Sequence, residues 1–217
     1  MYLSKFLKID QFPITIFTLI FSLIWYSFIQ LPITLNNYIE NKSLIFIILG
    51  NMYILIFGGL LITFLIKKYI KNNSLKKDYN WKLVTSSFAI MLLYNVLFDY
   101  ILPTTKNQNL IIGLINNKTI IMGALLFIVI GPIIEELICR GLFINMLFER
   151  NTFWMPIITS GLFFGLLHAS SNLIELLYYV FFGIILSFTY KKTGILSLTI
   201  SIHIINNLIS YASTFLM

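Results

Sequence analysis

Pro132–Gly141 reads PIIEELICRG and lies inside an apolar run that extends from Ile120 to Phe148. An ionisable side chain at the centre of a membrane span costs about 2.5–3.5 kcal/mol on insertion scales. Glu135, Glu136 and Arg140 together therefore need partners. Charged residues within spans are rare, face the bundle interior and mark sites. The stretch reads as one wall of a helix bundle with a polar centre, and the remaining helices must supply what meets it.

The composition agrees. The chain has 217 residues, 59% hydrophobic and 11% charged, with a mean hydropathy of +0.90, whereas a soluble domain carries about 25% charged residues. This is the profile of an integral membrane protein. A net charge of +7 in a soluble chain would suggest a nucleic-acid partner, but most of the basic residues here stand between apolar runs. Topology accounts for them, and no nucleic-acid partner is expected. The single cysteine, Cys139, leaves no internal disulfide to form and reads as a small buried hydrophobe. Lys5 and Lys8 precede an apolar run from Phe12 to Leu35. That run exceeds the roughly 7–15 residues of a cleavable signal core, so it reads as a retained first span.

Seven segments approach the roughly 20 apolar residues of a crossing, at about 12–35, 44–66, 83–102, 120–148, 153–169, 173–190 and 195–217. The expected fold is all-α, a polytopic transmembrane bundle of about seven spans. Residues 1–119 hold the N-terminal spans and loops, and 120–217 form a core of four helices. Asn95 and Asp99, at i, i+4 spacing, share one helix face and are expected to hydrogen-bond across helices. Between Pro103 and Thr119, NLIIGLI is too short to cross and is expected at the interface. With the N-terminus inside, the inner segments hold Lys5, Lys8, Lys67, Lys68, Lys71, Lys76, Lys77, Lys82, Arg150, Lys191 and Lys192, and the outer loops only Lys42, Lys106 and Lys118. The positive-inside rule favours that orientation.

Gly131 and Pro132 predict a break or kink in the fourth segment, which would leave Glu135 and Glu136 near unpaired amides of a new helical turn. Glu136 and Arg140 lie about 40° apart around the helix and can form an ion pair, while Glu135 lies about 140° from Arg140 and is left free as a general base. Both histidines of the chain fall in predicted spans: His168 four residues after Phe164, and His203 four before Asn207. Measured at about 1.5 Å per residue from the inner end of each span, Glu135, His168, His203 and Asn207 lie roughly 20, 22, 12 and 18 Å deep. Three helices thus bring polar groups to overlapping depths. Glu175, three residues after Asn172, reads as part of a helix cap.

Three motifs, EELICR (EExxxR), FGLLH (FxxxH) and HIINN (HxxxN), occur in order over Gly131–Asn207. In these the chain resembles the CPBP (CAAX protease and bacteriocin-processing, Abi) family of intramembrane proteases, which includes type II CAAX prenyl endopeptidases and bacterial bacteriocin-processing or immunity proteins. The resemblance implies that Glu135 and His168 activate a water molecule, that His203 and Asn207 stabilise the oxyanion, and that Glu136, Arg140 and Phe164 support the site. Because the family is often described as metalloprotease, a zinc ion held by Glu135, His168 and His203 is to be considered. A tightly bound metal is the weaker expectation, since the family account gives those groups direct roles. The implied substrate is a small hydrophobic or lipid-anchored peptide. The implied setting is a bacterial plasma membrane, in peptide maturation, bacteriocin immunity or peptide signalling. A non-catalytic membrane scaffold and a proton-coupled transporter are the competing readings.

Overall fold

A computed structural model describes residues 6–35, 44–73, 75, 77–102 and 104–215. Lys5, Lys42 and Lys76 of the charge pattern, Pro103 of the interfacial loop and the last two positions of the seventh predicted segment lie outside these residues. The architecture is an all-α membrane bundle. Among the described residues eight helices are present: α1 (Ile9–Leu35), α2 (Leu44–Asn72), α3 (Trp81–Ile101), α4 (Lys106–Leu114), α5 (Ile120–Leu147), α6 (Trp154–Leu166), α7 (Leu173–Thr193) and α8 (Leu196–Phe215).

All seven predicted segments are helical, and α1, α2, α3, α5 and α7 are long and apolar enough to cross a bilayer. Helix α6, at 13 residues, extends only about 20 Å against a hydrocarbon thickness of about 30 Å. Helix α8 has sufficient length, but His203, Asn206 and Asn207 dilute its apolarity. The NLIIGLI stretch forms α4, started by a capping box in which Thr105 and Gln108 satisfy each other's backbone amides.

Helix α5 is the central element and the most buried of the long apolar helices, well ahead of α1, α2 and α3. No break occurs at Gly131–Pro132. The helix runs on because its turns widen to i→i+5 over Leu125–Ile130 and again over Leu137–Ile144, so that the Gly131 amide bonds Leu126 O. A wide turn relieves the clash between a proline ring and the carbonyl of the preceding turn without opening the helix. The expected free amides are consequently absent: the Leu137 N–H, one residue past the glutamates, is bonded to the carbonyls of Ile133 and Ile134.

Helices α6 and α7 form a close antiparallel pair. A Cβ at Gly161 would stand 3.0 Å from the Ile184 amide nitrogen, one at Gly165 3.0 Å from that of Val180, and one at Gly183 3.0 Å from the Gly161 Cα. Small residues at this spacing let helix backbones approach. Helix α7 starts at Asn172, whose side chain accepts from the Glu175 N–H, and stops at Gly194 in the left-handed region (φ 65°).

Candidate active site

The apposition of α6 and α7 sets Phe164 and His168 over the middle of α5. Arg140, with no exposed surface, joins the three helices. It donates to Glu136 Oε1 at 2.7 Å within its own helix, to Gly183 O at 2.8 Å and to Ser187 Oγ at 3.3 Å on α7. Its guanidinium lies 4.8 Å from the centre of the Phe164 ring of α6. Ser187 donates onward to Ser160, which donates to Cys139 O. A buried charge is tolerated only when its hydrogen-bonding positions are met in this way.

The expected Glu136–Arg140 ion pair forms, and Glu135 stands outside it. Glu136 has no exposed side-chain surface, whereas Glu135 keeps 18% and faces a cavity of about 470 Å³. The Glu136–Arg140 pair has a further partner that the sequence did not indicate: His203 Nδ1 lies 3.1 Å from Glu136 Oε1. With Nδ1 turned to that carboxylate, Nε2 points towards Glu135, 3.7 Å from its Oε2. The His203 ring is bounded edge-on by Phe164 and Phe182.

His168 lies two residues beyond the end of α6, in the turn leading to α7, and not within the helix. Its Nδ1 is 2.8 Å from Phe164 O, which fixes the N–H on that nitrogen of the neutral ring and leaves Nε2 as an acceptor. The ring is stacked on Tyr179 (centroids 4.3 Å, 14°) and lies against Phe164 at a tilt of 37° (4.4 Å). Asn207 donates one N–H to Phe127 O at 3.0 Å, which orients its amide. Glu135, His168, His203, Asn207 and Phe164 all line the one cavity, so the convergence inferred from depth is realised.

Other lining residues were not anticipated. Tyr26 of α1 donates to Glu135 Oε1 at 3.0 Å, and α4 brings Asn107, Gln108 and Ile111 to the rim. The cavity therefore draws on residues either side of position 119. A tyrosine within an apolar span is the only sequence signal for Tyr26, and nothing in its spacing pairs it with Glu135. Asn95 does bond across helices, donating to Asn206 and accepting from Tyr178 at 3.1 Å, while Asp99 lines the cavity. Glu175 acts at the start of α7, accepting from the Ser171 N–H and hydroxyl. The three candidate zinc ligands, Glu135, His168 and His203, border the same space. Among the described residues, however, no group of three His, Cys, Asp or Glu side chains is arranged to hold a metal ion. The arrangement does not fit a three-ligand zinc site, and no step is derived through one.

Chemically, the cavity presents a carboxylate, an imidazole acceptor nitrogen and an oriented amide donor, within an apolar bundle. Residues 117–209 match the model of the Type II CAAX prenyl endopeptidase Rce1-like family. The chain is also similar to the protein named "Putative membrane peptidase YdiL" of Bacillus subtilis (strain 168), 33% identical over 79 residues, which cover 36% of this chain and 32% of that protein. No solved structure gives a significant match. The matched residues include Glu135, His168, His203 and Asn207 of the cavity, and over that part the chain is similar to this family of membrane peptidases.

Proposed function

We propose that the protein is an intramembrane endopeptidase that hydrolyses peptide bonds in small hydrophobic or lipid-anchored peptides at a bacterial plasma membrane, with its N-terminus inside. The observation that carries this reading is the assembly of Glu135, His168, His203 and Asn207 around one cavity, each held by a separate tether.

In the proposed reaction a water molecule lies between the Glu135 carboxylate and His168 Nε2. Glu135 takes one proton as the water oxygen bonds to the scissile carbonyl carbon. The carbonyl oxygen becomes an oxyanion facing the second N–H of Asn207 and Nε2–H of His203. Donors already oriented in a site shielded from bulk water stabilise that charge without reorganising. Donation from Nε2 requires a ring protonated on both nitrogens, since Nδ1 keeps its proton for Glu136. With Glu135 holding the water's proton at this stage, the Glu136 carboxylate beside Nδ1 is the counter-charge for it. As the intermediate collapses the C–N bond breaks, the proton held by Glu135 passes to the leaving amine, and a carboxylic acid and an amine separate.

The test is cleavage by purified, reconstituted protein against a library of hydrophobic peptides, with products identified by mass spectrometry. Wild type is expected to release fragments. Glu135→Gln and His168→Ala, matched for folded amount, are expected to fall by at least about 10²-fold, the scale of a lost acid–base group. Unchanged cleavage by Glu135→Gln would refute the reading.

A further inference from the structure

A second cleft, of about 630 Å³, lies at the other end of the bundle and belongs to no part of the site above. It is bounded by the α2–α3 and α5–α6 connections and the last turn of α7, roughly 18 Å along α7 from Tyr179. Lys77, Arg150, Lys191 and Lys192 line it, with Asp78 as the one carboxylate among the lining residues.

These cations are held together without neutralisation. Lys191 Nζ donates to Arg150 O at 3.3 Å, and the Arg150 and Lys8 charges both bear repulsively on Lys191. Lys192 Nζ is placed over the Phe153 ring at 4.8 Å. The connection carrying Lys77 is fastened to the end of α7 by the Asp78 N–H, which donates to Thr193 O at 2.7 Å. Among the described residues none of the four lies within 4.0 Å of a carboxylate oxygen. Like charges fixed in this way are relieved by an anion. The level of the cleft identifies its source: Tyr79, Trp81 and Trp154, each more than 60% exposed, stand at the same end. Amphipathic aromatics in that position mark the headgroup layer, where basic clefts between helices meet anionic lipid.

We infer that the Lys77–Arg150–Lys191–Lys192 cleft binds the phosphate group of an anionic phospholipid headgroup. The phosphate oxygens would accept from the Lys77, Arg150 and Lys191 side chains, and the acyl chains would run along the apolar flanks of the bundle.

The full chain in an uncharged detergent, at fixed salt, is titrated with short-chain phosphatidylglycerol, short-chain phosphatidylcholine or inorganic phosphate while thermal unfolding is followed. Phosphatidylglycerol alone is expected to raise the melting temperature. Its apparent affinity is expected to weaken about fivefold for each charge removed in Lys77→Gln, Arg150→Gln and Lys191→Gln, singly and combined. A control with Lys67→Gln, Lys68→Gln and Lys71→Gln is expected to keep the wild-type response. An equal response to phosphatidylcholine, or an equal loss in the control, would overturn the site. Inorganic phosphate reproducing the full shift would overturn the lipid assignment. Should the combined variant fail to fold, Arg150→Gln alone decides. Activity enters none of these readouts, so the outcome is independent of the proposed protease function.

Discussion

Arg140 shows how tightly the polar centre is built. Its three nitrogens each have a partner, and Glu136 is shared between Arg140 and His203. Removing one member of a buried pair strands the other charge, so Arg140→Met is expected to lower stability by about 3–5 kcal/mol, seen as a large fall in melting temperature. In the Glu136→Leu, Arg140→Met double variant most of that stability is expected to return, because no charge is stranded. Cleavage is not expected to return, since His203 has lost the carboxylate that orients it. In the proposed reaction Tyr26 acts through Glu135 as a positioning residue. Loss of a hydrogen bond to a charged group is worth about 1.5–3 kcal/mol, so Tyr26→Phe should lower kcat by roughly tenfold or more. KM should stay near its wild-type value, with only a modest fall in melting temperature from the lost bond. A rise in KM alone would instead place Tyr26 in substrate binding.

At the level of elements, the position of His168 depends on how closely α6 approaches α7. Gly165 has the Val180 backbone nitrogen 3.0 Å and the Val180 Cγ2 2.5 Å from where its Cβ would be. Gly165→Ala must push the helices apart, and overpacking of this kind costs about 1–3 kcal/mol. Reduced melting temperature and reduced cleavage are expected together, because Phe164 and His168 move with the helix. Gly59 of α2 has nothing within 4 Å of a built Cβ, so Gly59→Ala should leave both unchanged or raise stability by up to about 1 kcal/mol. A further consequence lies in α5, where the wide turns flanking Gly131–Glu136 keep the helix continuous past the proline. That continuity lets Glu135 and Arg140 stay on one rigid element.

At the level of the molecule, the basic residues predict the orientation and can be tested on it. Cys139 is buried and gives no background. Single cysteines in place of Lys77, Arg150 and Lys118 should react with an impermeant thiol reagent from opposite sides of sealed vesicles. Lys77→Cys and Arg150→Cys are expected on the N-terminal side and Lys118→Cys on the other. Labelling of all three from one side would refute the assigned topology. The same experiment locates the two cavities, since the basic cleft lies at the Arg150 end and α4, beside Lys118, borders the Glu135 cavity.

The sequence by itself determined that the chain is a membrane helix bundle, because apolar runs of crossing length leave few alternatives in lipid. It also singled out Glu135, Glu136, Arg140, His168 and His203, because buried ionisable groups are too costly to occur without a reason, and Asn207 by its spacing four residues after His203. Local geometry was enough to separate the two glutamates, since i, i+4 spacing is fixed by the helix. Only the tertiary structure decided which groups meet across helices: Tyr26 with Glu135, His203 with Glu136, and Asn95 with Asn206. It likewise decided that α5 stays unbroken at Pro132 and that α4 borders the cavity. These contacts join residues up to 111 positions apart. Helical periodicity fixes the face a residue occupies but not the neighbour that face will pack against, which depends on the rotation, depth and tilt of every helix in the bundle.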